Sequence, residues 1–400
     1  MIQTYIYAAL LLVLTLFFIV KRYNKMGLIL MALYSVIGVI ALVAVRQGRF
    51  ETQNLTMFPY IYLILIYIIA FSPFLSRTTN LSLEKLKFNI NQKYVIFAYI
   101  FIITSLISLS FYWPQVKQLL SSGEWNANRA SLYDGSLTFN TVWYQYYSLQ
   151  FSGYTRLLGI LIGFVFLREK KKELIGWGCI IVGAATEILS AMYTSSRGSI
   201  VNIVLLLIIM YMFFFNDLEK DKRRFFVVLS CLALVAIVPY VIEVTVSRFS
   251  TIGASNSLVD YLGQAPVVFN YGVSPINKHL YGEYTLGRLF GGRSISPSEL
   301  GGTWGSGFYT FVGWLFIDWG VTGTIVVASL IAYITNQIIR RKMYSIADLF
   351  IVFFVYYTLL QGVFVIGRAY IYNIVMAVFI YWFVKLFFEK YTIVIGRLRL

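Results

Sequence analysis

A chain of 400 residues with 59% hydrophobic side chains, only 12% charged ones and a mean hydropathy of +0.75 has too few polar groups to cover a water-soluble surface. Runs of about 18 or more apolar residues recur along it, each long enough to cross a hydrocarbon core of roughly 30 Å as a helix. A soluble domain is excluded, and the formal net charge of +16 reads as basic loops against anionic lipid rather than as a nucleic-acid surface.

The expected fold class is all-α: a polytopic membrane bundle of about eleven transmembrane helices (roughly ten to twelve), forming one integral-membrane domain over 1–400. In chain order the spans fall at roughly 4–20, 27–45, 57–75, 94–113, 143–167, 174–193, 199–215, 225–245, 309–335, 346–366 and 369–388. The first lacks a basic leading segment and a small-residue cleavage site, so it reads as a retained span. Cys179 and Cys231 sit within apolar spans and predict neither a disulfide nor a metal site.

The connectors alternate in charge. Lys21, Arg22 and Lys25 follow the first span, Arg77, Lys85, Lys87 and Lys93 the third, and Arg168 with Lys170 to Lys172 the fifth. Lys220, Lys222, Arg223 and Arg224 follow the seventh, and Arg340, Arg341 and Lys342 the ninth; the C-terminal tail is basic too. The bias puts the N-terminus outside and the C-terminus inside, with two long outer connectors at 114–142 and 247–308. Trp113, Trp125, Trp143, Trp304 and Trp314 then fall near the outer boundary, where amphipathic rings gather. On the expected outer face arginine dominates, Lys117 and Lys278 being the lysines there. The guanidinium fork suits phosphate or carboxylate bidentately, so this face looks built to hold an anion.

No internal repeat, nucleotide-binding loop, Cys/His metal cluster or close outer pair of aspartates occurs, so ATP-driven transport and divalent-metal catalysis lose ground and no cofactor is expected. Ser195-Ser196-Arg197-Gly198-Ser199 reads as a tight outer turn where free N–H groups and the Arg197 fork make an anion site, or as an arginine snorkelling from a helix end. Arg156, Glu187 and Asp318 lie inside spans, as substrate contacts or as a pair locking the bundle. Trp125, Asn126, Asn128, Arg129, Tyr133 and Asp134 mix rings, amides and charge as sugar sites do, or form an amphipathic surface helix. The second connector is denser: a long one without regular structure is more often functional than idle. It holds the sole histidine, His279, with Arg248, Arg288, Arg293, Asp260 and Glu283. His279 is the preferred general base, its titration falling near neutral pH. Asp260 (or a helix cap) and Glu283, which helical spacing would set beside His279, remain the other candidates.

The Ser-Arg-Gly turn feeding an apolar helix, the large outer connector, the re-entry Gly302-Thr303-Trp304-Gly305-Ser306-Gly307-Phe308-Tyr309, then Gly313 and Gly320-Val321-Thr322-Gly323, together resemble the bacterial oligosaccharide repeat-unit (O-antigen) polymerases. The resemblance implies a metal-independent glycosyltransferase at the outer, periplasmic face of the bacterial inner membrane. Such an enzyme moves a growing glycan from undecaprenyl diphosphate onto a new lipid-linked repeat unit. It implies membrane lipid and the lipid-linked oligosaccharide as partners, leaves room for a chain-length regulator protein, and gives no place to nucleic acid. Fixed cations must then neutralise the leaving diphosphate: Arg197, Arg248, Arg288 and Arg293 first, Arg129 and Arg368 next, with Arg156 inside the fifth span. His279, Asp260 and Glu283 are the catalytic candidates. An O-antigen ligase is the nearest alternative, although ligases usually follow their loop histidine with Asn, Ser or Gln and here Leu280 follows. A lipid-linked oligosaccharide flippase is the non-enzymatic one.

Overall fold

The computed structural model describes residues 1–50, 53–76, 92–133, 141–249, 254–291, 297–300, 309–363, 370–389, 394–395 and 398–399. These are almost wholly helical, apart from a two-residue antiparallel pair at Val394–Ile395 and Leu398–Arg399. In chain order the helices are α1 (Ile2–Val20), α2 (Lys25–Arg46), α3 (Met57–Leu75), α4 (Gln92–Ser122), α5 (Trp125–Tyr133), α6 (Trp143–Arg168) and α7 (Glu173–Tyr193). There follow α8 (Arg197–Phe214), α9 (Lys220–Phe249), α10 (Ala254–Val268), α11 (Thr310–Ile339), α12 (Ile346–Gln361) and α13 (Tyr370–Phe383).

Among the described residues nine helices are long and apolar enough to cross a membrane: α1, α2, α3, α4, α6, α7, α9, α11, and α13 with its π-helical extension to Phe388. The shorter apolar stretches Gly198–Phe214 and Ile346–Gln361 fall on the remaining two expected spans. The chain is a multi-pass membrane protein. Its residues form two compact units: Met1–Lys85 with Ser255–Tyr344 and Ile351–Val378, and Leu86–Ala254 with Ser345–Phe350 and Phe379–Leu400.

In the first unit α1, α2 and α3 pack together and α3 lies along α11. Lipid tails are as apolar as leucine, so such helices are held by close packing and by polar contacts between them. Hydroxyls supply several: Thr15 and Ser35 meet at 2.7 Å between α1 and α2, Thr4 and Tyr60 at 3.1 Å, and the Tyr34 hydroxyl donates to the Leu359 carbonyl at 2.8 Å. Rings fill the space around them, with Tyr7 stacked on Tyr60 at 4.6 Å and Tyr34 edge-on to Tyr67 at 4.5 Å.

The second unit is built on α4, α6 and α7. Gly163 of α6 and Gly176 of α7 let the two backbones meet: a Cβ on either would stand 2.8 Å from the other's carbonyl oxygen. The Phe101 ring of α4 occupies the notch left by Gly159 and Gly183, and would lie 2.5 Å and 3.1 Å from Cβ atoms there. Small residues at such crossings are the packing currency of membrane bundles.

The expected connector at 247–308 is in good part regular structure. The α10 helix lies on α2, with Gly263 so close that a Cβ would stand 2.9 Å from the Ala41 Cα. A π-helical turn, Phe269–Val273, follows it and is mostly buried. There the Asn270 amide clamps the backbone before α3, accepting from the Thr56 N–H at 3.0 Å and donating to the Thr56 carbonyl at 2.8 Å. Residues 259–273 therefore belong to a segment packed against the helices of the first unit rather than to a free loop.

Candidate functional site

The site begins with a break in α11. Gly320 has φ +61° and ψ −162°, a conformation open in practice to glycine alone, and the helix turns non-helically there. The carbonyls just ahead of the break take outside donors: the Leu280 N–H reaches Ile317 O at 3.3 Å and the Tyr281 N–H reaches Asp318 O at 2.8 Å. Side chains serve the carbonyls beyond it, Thr324 bonding to Gly320 O at 2.7 Å and the Tyr62 hydroxyl to Val321 O at 2.8 Å. Non-helical backbone inside a membrane bundle needs such substitutes, because no lipid atom replaces a lost hydrogen bond.

Residues 279–286 form a strap across this break. After His279 the chain reverses through two left-handed residues, Tyr281 (φ +49°) and Gly282 (φ +97°). A tyrosine held there costs about 1–3 kcal/mol, which surrounding contacts must offset. Asp318 supplies them: its carboxyl group, fully buried, accepts the Tyr284 N–H at 2.8 Å and the Thr285 N–H at 2.9 Å. Hydrogen bonds of this kind contribute about 0.5–1.5 kcal/mol each, so the two together are of the size needed to hold the reversal. The Tyr284 hydroxyl meets that of Tyr309, the residue preceding α11, at 2.6 Å. Asp318 is accordingly the anchor of the strap.

His279 lies in the notch at the break. Its ring stands edge-on to Phe316 at 5.4 Å, and a Cβ built on Gly320 would be 2.6 Å from its Nε2. Its Nδ1 is shut off from solvent and has no hydrogen-bond partner among the described residues. An unmet buried polar atom costs about 1–3 kcal/mol, and such atoms call for an explanation in function or in a bound group.

The other candidates of the first unit distribute around it. Glu283 rides on the same strap and is exposed. Residues 276–280 are not helical, so spacing does not set the Glu283 side chain beside the imidazole as a helix would. Arg288 is exposed in the 3-10 turn Gly287–Phe290, whose Arg288 carbonyl accepts the Tyr372 hydroxyl at 2.8 Å. Asp260 lies well inside α10 rather than at its start, so it is no helix cap. It faces Arg49 across 3.8 Å, an open pair with both groups about a third exposed, and such pairs contribute little on their own. The Arg49 pairing has no local sequence signal, since its partner is brought up only when α10 packs on α2.

In the second unit α5 meets the turn between α7 and α8. Arg129 donates through Nη1 to the Ser195 carbonyl at 3.1 Å, and Asn128 donates to Tyr193 O at 2.7 Å. Ser195 is left-handed at φ +49°, and Arg197 opens α8 after one intervening residue, Ser196. The first connector and the Ser-Arg-Gly turn are thus joined by hydrogen bonds, a contact with no local sequence signal. Trp125 is fully buried against Tyr240 and Ala191, with its indole N–H on Glu243 at 3.0 Å. It is a core anchor, which removes it as a ring for stacking on sugar. Arg156 pairs with Glu187 between α6 and α7. Of the two uses open to these charges, the bundle-locking one is what this geometry provides.

The side chains of Arg197 and Arg248, and the whole of Arg293, Arg368 and the glycine-rich stretch 301–308, lie outside the described residues. The chain matches no protein-family model, no curated protein and no solved structure.

Proposed function

We propose that the protein is a membrane glycosyltransferase that joins undecaprenyl-diphosphate-linked oligosaccharide repeat units at the outer face of the bacterial inner membrane. The observation that carries the reading is His279: the sole imidazole of the chain, seated on a broken membrane helix with Nδ1 unpaired. In this reading an acceptor sugar hydroxyl attacks the anomeric carbon of the donor, and its proton passes to His279. The bond from that carbon to the lipid diphosphate breaks as the glycosidic bond forms, so the diphosphate leaves carrying the electron pair. A positioned general base contributes about 10²–10⁴-fold to such a step.

Arg288, exposed two residues beyond the strap, is assigned to the leaving diphosphate together with Arg293 and Arg368 of the same unit, and Arg129, Arg197 and Arg248 of the second unit are the further cations proposed. An apolar cavity of about 360 Å³ in the first unit, walled by Phe311, Trp314, Leu315, Ile331, Val355 and Ile374, offers a polyprenyl tail a place beside α11. Arg156 serves the bundle through Glu187 rather than an open cationic path, which counts against the flippase alternative.

The test is elongation by purified protein in detergent, supplied with lipid-linked repeat units and lipid A core extracted from the producing cells. A ladder of two or more repeats on the lipid carrier is expected. Transfer to a lipid A core without any ladder identifies a ligase instead. If neither product forms while lipid-linked units cross the bilayer of reconstituted vesicles, the enzyme reading is wrong.

A further inference from the structure

Three features of α11 converge on one side chain. The conformation of Gly320 breaks the helix, the missing Cβ leaves the notch that receives the imidazole, and the Asp318 carboxyl fixes the two amides that follow the reversal after His279. We propose that Asp318 and Gly320 are positioning residues for His279, fixing the depth and angle at which its ring sits in the notch. The role of the ring rests on the glycosyl-transfer reading; the seating of the ring does not.

A simpler helix would not need this construction. Were α11 unbroken, the carbonyls of Ile317 and Asp318 would be consumed within the helix, and the Leu280 and Tyr281 amides would have to find other acceptors. Were residue 320 alanine, its Cβ would stand 2.6 Å from Nε2 and 2.7 Å from Cδ2, distances no side chain holds. The ring would have to turn or withdraw, and residue 320 would resist its own backbone angles. Asp318→Asn acts differently: it keeps the size and one acceptor but presents an N–H₂ to one of the two amides, loosening the strap beneath the ring.

Because the chain holds a single histidine, selective ¹⁵N labelling of histidine reports this imidazole alone, provided the protein is purified without a polyhistidine tag. In detergent, Gly320→Ala and Asp318→Asn are expected to shift both ring nitrogen resonances and to displace the ring's titration midpoint. His279→Gln removes the signals. Elongation should fall at least tenfold in each positioning variant, and Gly320→Ala should cost nothing further when added to His279→Gln.

Tyr281→Phe, an exposed change on the same strap, serves as the control that leaves both readouts in place. If the ring resonances and midpoint of the two positioning variants match the parent, the positioning proposal is overturned whatever the activity does. If the resonances move but elongation is untouched in these variants and in His279→Gln, the seating stands and the catalytic reading of His279 fails. Should Gly320→Ala be recovered unfolded, Asp318→Asn alone decides; should Asp318→Asn be, Asp318→Glu takes its place.

Discussion

Glu243 of α9 accepts a hydrogen bond from the Trp125 indole at 3.0 Å, and Gly123 (φ +68°) brings the chain round so that the ring can enter beneath α5. Trp125→Phe should leave glycan elongation intact while lowering the unfolding midpoint in detergent by the loss of one hydrogen bond, about 0.5–1.5 kcal/mol, since the exposed Glu243 carboxyl can turn to water. Trp125→Ala should cost about 3–5 kcal/mol through the cavity it opens. A Phe variant with full stability but lost elongation would restore Trp125 as a substrate contact.

Arg156 and Glu187 make the second prediction. Removing one partner strands the other in the bundle, at a cost of about 3–5 kcal/mol, whereas replacing both by Met and Leu should recover most of it. Thermal unfolding of the two single variants and the double variant measures this. Elongation that fails in the double variant while its stability is restored overturns the structural assignment.

For the transfer step, His279→Ala should lower elongation by about 10²–10⁴-fold, with expression and the unfolding midpoint close to the parent. Arg288→Ala combined with Arg293→Ala should give single repeats in place of polymer. Unchanged chain length and yield in that double variant would remove the arginines of this stretch from the reaction.

Acid provides a fourth handle, in the second unit. Lys170 and Lys222 donate to Glu219, and the hydrogen bond from Lys170 is the leading cause holding its carboxyl below the usual glutamate range. A depressed carboxyl contributes stability above the ordinary carboxylate range and loses it as pH falls through its folded value. The unfolding midpoint of the parent should therefore drop on acidification below pH of about 4.5 more than that of Glu219→Gln. Parallel curves for the two proteins would show that the contact is without consequence.

The membrane helices were legible because hydropathy is a local property: α3 was expected at 57–75 and is Met57–Leu75, and α7 and α11 agree to within a few residues. Partners distant in sequence were not legible. Nothing near Asp260 announces Arg49, and nothing near Trp125 announces Glu243, because each pair forms only after two helices have packed. His279 stood out as a lone imidazole, and Gly320 stood in a glycine-rich motif. That the glycine is the seat of the histidine needed the backbone angles and the missing Cβ. Trp125 misled for a related reason, since a tryptophan beside charged residues looks interfacial until its environment is known.

The near contact of Gly163 with Gly176 bears on how the protein is made. Arg156 entering a bilayer on α6 alone would cost about 2.5–3.5 kcal/mol at its centre. The partner that relieves it, Glu187, follows on α7 after only the short turn at 169–172, and the two glycines let those helices close against each other. The pair is therefore suited to leave the insertion machinery as one hairpin. A longer linker at 169–172 would lengthen the time the arginine spends alone, and biogenesis would register that change before any assay of the finished protein.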